Sequence, residues 1–155
     1  MNRYIDTSVL IAYYLPEPLS ARAERLLRRG GMPAISPLVE IEFASVLGRK
    51  VRARELAVGA AGSAQERFRE HLDNGMYQRL EIGSAHYDQA RRWVGAFKPQ
   101  LRTLDALHLA IATDANATLH TADVQLSRAA RALRVSCRLM RASTRTAGKT
   151  VNRER

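Results

Sequence analysis

A chain of 155 residues, 46% of them hydrophobic, suits one compact soluble domain with a core of its own. Its formal net charge of +10 calls for an anionic partner, whether nucleic acid, a membrane surface or an acidic protein; 22 of its 25 basic residues are arginines, whose planar fork grips phosphate through two bonds. The single cysteine, Cys137, excludes an internal disulfide and a multi-cysteine metal site and fits a reducing cytoplasm, and no apolar run approaches the roughly 20 residues that cross a bilayer. With MNRYID at its start, the chain is read as having no signal peptide.

Residues 3–5 form a short apolar strand that ends at Asp6, and TSVLIAYYL turns from it into a helix. Residues 20–29 are rich in helix formers, with Ser20 as the expected cap and Gly30-Gly31 as the stop. A brief strand over MPAIS leads to Ser36-Pro37, which opens a helix over 37–52. Amphipathic spacing predicts helices over 55–73 and 84–97, separated by Asn74-Gly75 and a YQRLEI strand. Residues 103–115 make a nearly all-apolar helix that belongs at the centre of the fold. ATLHTAD is a strand and turn, DVQLSRAARAL a helix and VSCRLM a last strand. This alternation implies an α/β fold with a parallel sheet. After Met140 the text turns polar and basic, with little to bury, and residues 141–155 are expected to be a disordered tail.

Four acids, Asp6, Glu42, Asp105 and Asp123, stand among apolar or small neighbours, where an unpaired carboxylate costs several kcal/mol, by roughly the usual estimate for a buried ion. A divalent metal is one partner that removes this cost. Asp6, Asp105 and Asp123 fall at or beside helix starts, and Asp6 and Asp123 also close strands. In open parallel sheets the ligand site lies beyond the carboxyl ends of the strands, where such residues converge. Taken singly, each of the three reads first as a helix cap. Capping does not explain Glu42, which lies mid-helix on a stripe with Val39 and Val46; a buried salt bridge to an arginine is its alternative. Glu40 and Asp114 read as surface charges, and His108 and His120 as hydrogen-bonded core residues.

The segments MNRYIDTSVL, SPLVEIEFASVLGRK, LRTLDALHLAIA and LHTADVQL, in this order and spacing, resemble the PIN domain over about residues 2–139, specifically the VapC-type ribonuclease toxins of bacterial toxin–antitoxin pairs. LRTLDALHLA followed by TAD is the most specific part. The resemblance implies a three-layer α/β/α fold with a central, mostly parallel sheet, a domain over residues 1–140, and an acidic cluster on Asp6, Glu42, Asp105 and Asp123. It also implies hydroxyls at the site, matched by Ser8 and Thr121. Some members carry a further acid near the last aspartate, where this chain has Ala122 and Val124.

Phosphodiester hydrolysis adds negative charge that bare carboxylates would repel, so the implied chemistry requires Mg²⁺ or Mn²⁺, which favour oxygen ligands and make hydroxide from a bound water. Asp6 and Asp105 are the expected direct ligands, with Glu42 and Asp123 acting through water or orienting the nucleophile. The products would carry 5′-phosphate and 3′-hydroxyl ends. Without metal the close acids are expected to raise one another's pKa. Arg102 and Arg49 are the arginines best placed by sequence to bind substrate, and the basic tail would add a salt-sensitive anchor. The resemblance further implies RNA as substrate, a cognate VapB-type antitoxin that seats an arginine in the acidic site, a groove for it on helices 20–29 and 37–52, and a homodimer without membrane association. A receiver-type signalling domain would need an acidic neighbour for Asp6, which is missing. A noncatalytic RNA-binding or adaptor domain on the same fold is the remaining alternative, disfavoured because nothing else explains four acids kept together.

Overall fold

Residues 2–142 are described in the structure, a computed structural model, and within them the expected strands and helices occur in the expected order. Strand β1 (Asn2–Ile5) lies at the centre of a five-stranded sheet. It pairs with β2 (Ala34–Ile35) on one side and β4 (Ala117–Thr121) on the other; β3 (Gln78–Arg79) continues beyond β2 and β5 (Cys137–Leu139) beyond β4. Every pairing is parallel, where the resemblance implied a mostly parallel sheet. All five residues of β4 are buried, as suits a parallel strand covered on both faces.

The helices are α1 (Thr7–Tyr14), α2 (Ser20–Arg28), α3 (Pro37–Arg52), α4 (Val58–Asp73), α5 (Ser84–Gly95), α6 (Thr103–Asp114) and α7 (Val124–Ala132). Parallel connections cross over right-handedly. The steps outward to β3 therefore put α1–α4 on one face, and the return through β4 to β5 puts α5–α7 on the other, completing the α/β/α layers. In α6 every residue from Ala106 to Ala112 is buried, in keeping with its apolar text. Tyr14, Phe43, Phe68 and Tyr77 form a tilted and edge-on aromatic cluster, with Phe43 and Phe68 centroids 4.7 Å apart, which ties α1, α3 and α4 to the approach to β3.

The element ends differ from the expected ones for local reasons. Pro33 lacks an N–H for a ladder and Pro37 starts a helix, so the MPAIS strand contracts to two residues. The YQRLEI strand also contracts to two, on the exposed edge of the sheet. Arg54 and Phe97 adopt positive φ, which delays α4 to Val58 and stops α5 at Gly95. The expected Ser20 cap does not form, and Ser36 holds the N-cap position of α3 without a side-chain cap bond. Ser20 lies inside α2, where its hydroxyl accepts from the Glu17 N–H and donates to the Leu15 carbonyl. Ser36 precedes α3, but its hydroxyl pairs with that of Tyr4 at 2.7 Å. The tail expected from residue 141 lies, beyond Ala142, outside the described residues.

Candidate active site

Because β1 and β4 are parallel neighbours in register, their carboxyl ends bring Asp6 and Asp123 to the same edge of the sheet. Both cap the helices that follow. Asp6 accepts from Ser8 N at the start of α1, and Asp123 Oδ1 accepts from Gln125 N at 2.7 Å and Leu126 N at 3.1 Å at the start of α7. Capping uses only part of each carboxylate. Asp6 Oδ2 also accepts from the hydroxyls of Ser8 at 2.5 Å and Thr121 at 2.7 Å. The same Ser8 oxygen accepts from Ala122 N at 2.8 Å, and Thr121 Oγ1 accepts from Asp123 N at 2.9 Å, so the two hydroxyls join the ends of β1 and β4.

Asp105 stands in the first turn of α6 and Glu42 in α3, and each faces the same opening. All four acids, with Ser8, Arg49 and Arg102, line one cavity of about 570 Å³. Thr121 is fully buried behind it and reaches the cavity through Asp6, Asp123 and the Ser8 hydroxyl. Asp114 is exposed and pairs with His86, and Glu40 pairs with Arg79 on the surface.

His108 is the residue whose part sequence reasoning understated. Its imidazole is buried and hydrogen-bonded as expected of a core histidine, yet its partners belong to the site. Nε2 lies 2.8 Å from Glu42 Oε2 and 3.6 Å from Asp6 Oδ1, and Nδ1 lies 2.9 Å from Tyr4 Oη. Glu42 also accepts from the Thr7 hydroxyl at 2.6 Å, so its inward carboxylate is hydrogen-bonded by histidine and threonine, with the Arg102 charge acting on it through space. One signal was available: His108 follows Asp105 by three residues, hence on the same face of α6. Asp6, Glu42 and His108 each offer a ligand atom within 4.8 Å of the others, a grouping able to hold a metal ion.

The chain supplies its own cations to these acids. Arg102 donates from Nε to Asp105 at 2.7 Å and from Nη2 to Asp123 at 2.6 Å, bridging the pair. Burial raises the Asp105 pKa, and Arg102 only partly offsets it. For Glu42 and Asp123 burial also acts upward, but the hydrogen bonds and charge of His108 and Thr7, and of Arg102 with the α7 amides, bring the net shift down. Burial disfavours the His108 imidazolium, and Glu42, Asp6 and Asp105 together reverse this and raise its pKa. The expectation that the acids would raise one another's pKa therefore needs correcting: for Asp105 the repulsion from Asp123 is secondary to burial, and Glu42 and Asp123 shift the other way.

A family model for the PIN domain matches residues 3–132. Among solved structures, Mycobacterium tuberculosis VapC20, described as a sarcin–ricin loop cleaving toxin, shares 18% identity over 83% of this chain and 95% of its own, with a TM-score of 0.64. VapBC-1 from nontypeable Haemophilus influenzae shares 17% over 90% and 98%, with a TM-score of 0.62. VapBC2 from Rickettsia felis, bound to a fragment of promoter DNA, shares 16% over 91% and 100%, with a TM-score of 0.61. No curated protein matches by sequence. At these identities the structures speak for the fold, and with the family match over most of its length the chain belongs to the PIN domain family.

Proposed function

We propose that the chain is a metal-dependent endoribonuclease of the VapC toxin type, which cuts RNA in the acidic cavity and is restrained by an antitoxin. The observation that carries this reading is the meeting of Asp6, Glu42, Asp105 and Asp123, from four separate segments, on one cavity at the carboxyl ends of the strands. Solved structures of the same fold include one described as a sarcin–ricin loop cleaving toxin and one described as a toxin–antitoxin complex from Klebsiella pneumoniae.

The donor set suits a hard cation, since it offers carboxylate oxygens and one imidazole. Asp6 and Asp105 would hold Mg²⁺ or Mn²⁺ directly, with Glu42 and Asp123 reaching it through water or aligning the attacking water. When bound, the ion would neutralise phosphate charge and lower the pKa of a coordinated water. The protein's own groups fix the acids. The Ser8 and Thr121 hydroxyls hold the Asp6 carboxylate, and His108 and Thr7 hold that of Glu42. Arg49 and Arg102 line the same cavity and would meet the phosphates of the substrate. Attack in line with the 3′ oxygen would leave 5′-phosphate and 3′-hydroxyl ends.

An unrestrained ribonuclease would harm its own cytoplasm, which is the physical case for an antitoxin of the VapB type. Helices α2 and α3 would supply its groove and the acidic cavity would receive its arginine, with the toxin acting as a homodimer. The test is to incubate antitoxin-free protein with total bacterial RNA and ribosomes, with Mg²⁺, Mn²⁺ or chelator, and to sequence new 5′ ends beside Asp6→Asn and Asp105→Asn proteins. Metal-dependent 5′-phosphate ends that disappear in both folded variants are expected. No such ends from folded wild-type protein would sink the enzyme reading and favour a noncatalytic RNA-binding domain.

A further inference from the structure

A second cavity, of about 590 Å³, opens between α2 and strands β1, β4 and β5. Among the described residues, five arginines line it and no carboxylate does. Arg22, Arg25 and Arg29 come from one side of α2 and its end, at spacings of three and four residues, and Arg3 and Arg138 come from the sheet. His120, paired across the ladders with Ile5 and Arg138, forms the buried floor between them. The Arg3 guanidinium is fixed in place, donating to the carbonyls of Leu26 and Gly31.

Several arginines elsewhere on the surface are neutralised by carboxylates. Arg28, Arg69, Arg79, Arg91 and Arg102 each lie within 3.1 Å of a carboxylate. Among the described residues, Arg3, Arg25, Arg29 and Arg138 form no ion pair with a carboxylate. Like charges gathered in a concave, partly dry site repel one another, and an anion relieves that repulsion. The two cavities are linked through the end of β4: His120 lines this one, and Ala122 and Asp123, just past the strand, line the acidic one.

The lining distinguishes a nucleic acid from an acidic protein. A protein interface has an apolar core depleted in charge, whereas nucleic-acid interfaces are polar and strongly positive. Leu26, Leu139 and Met140 are the apolar side chains in the lining, and none of the exposed large hydrophobic residues among the described ones, such as Met32, Ile41 and Phe97, belongs to it. We propose that the arginine pocket binds phosphate groups of the RNA away from the scissile bond, so that one strand contacts both cavities. This rests on the ribonuclease reading.

The experiment measures binding, not cutting. Fluorescent single-stranded RNA is titrated, with chelator present, onto Asp105→Asn protein, onto the same protein carrying Arg25→Gln, Arg29→Gln and Arg138→Gln, and onto a control carrying Arg28→Gln, Arg79→Gln and Arg91→Gln. Salt is varied from about 50 to 200 mM, and thermal melting verifies that each protein is folded. Loss of three phosphate contacts should flatten the slope of log affinity against log salt by about 2 and weaken binding at least tenfold, with a much smaller change in the control. Equal slopes and affinities in the pocket variant and the control would overturn the proposal. So would a poly-glutamate peptide that depends on the three arginines while RNA does not, which would assign the pocket to an acidic protein. If the pocket variant binds normally and wild-type protein still cuts RNA with metal, the pocket falls and the nuclease stands.

Discussion

At His120 two influences oppose a proton: burial against β4, and then the charges of Arg3 and Arg138 across the pocket. Together they lower its pKa from 6.5 to about 4. The imidazole is therefore neutral in the folded protein at neutral pH, while the unfolded chain takes up a proton near its ordinary value. The sign follows directly. Between these two values the unfolded state binds more protons, so the stability contributed by neutral His120 is complete above about pH 6.5 and is lost as pH falls toward 4. The loss should be on the order of 2 kcal/mol at about pH 4.5. Urea unfolding of wild type and His120→Gln at neutral and acid pH isolates it from the carboxylates, which titrate in both proteins. Parallel pH profiles would show that His120 is not held neutral. At this scale the four acids were legible because a carboxylate is conspicuous in apolar text. His108 was not, because its apolar neighbours describe its burial and say nothing of the acids contributed by other elements.

Between elements, the acidic cavity is supported from behind by a chain of hydrogen bonds. Ser36 before α3, Tyr4 in β1, His108 in α6 and Glu42 in α3 follow one another at 2.7, 2.9 and 2.8 Å. Burial lifts the Tyr4 phenol above its ordinary range, so it stays protonated and can donate within this chain. Tyr4→Phe keeps the ring and its packing but leaves buried polar atoms of His108 and Ser36 short of a partner, and should destabilise by about 1–3 kcal/mol. A double-mutant cycle of Tyr4→Phe with His108→Ala, measured by denaturant unfolding, should return a coupling of about 0.5–3 kcal/mol, because both changes act on one network. Additive effects within about 0.5 kcal/mol would mean that the chain of contacts carries no joint energy. The elements themselves were legible in proportion to their length. Helices of 12–16 residues such as α3, α4 and α6 repeat their apolar spacing often enough to be read, whereas two-residue β2 and β3 are set by the ladder beside them. Ser36 illustrates the limit: its sequence position is that of a cap, and the buried Tyr4 hydroxyl offers it a partner that only the fold brings near.

For the whole molecule, the parallel α/β topology was legible because strands and helices alternate, and with it the convergence of strand ends on one edge. The arginine pocket was not, since α2 and three strands contribute to it from opposite halves of the chain. The fold also balances the acidic cavity internally. Arg102 bridges Asp105 and Asp123, His108 meets Glu42 and Asp6, and among the described residues no buried side-chain polar atom lacks a hydrogen-bond partner. If Asp105 holds a metal ion as proposed, the ion would compete with the Arg102 guanidinium, and part of its binding energy would go to displacing that cation. Removing the competitor should strengthen binding: calorimetry with Mn²⁺ is expected to show a rise in Tm for wild type, a larger rise for Arg102→Gln, and almost none for Asp6→Asn. At a metal concentration about a hundred times Kd the stabilisation is about 2.7 kcal/mol, and each kcal/mol raises Tm by about 2–4 °C in a domain of this size. An Arg102→Gln shift no larger than that of wild type would show that the guanidinium does not compete. An Asp6→Asn shift equal to that of wild type would place the ion elsewhere on the molecule.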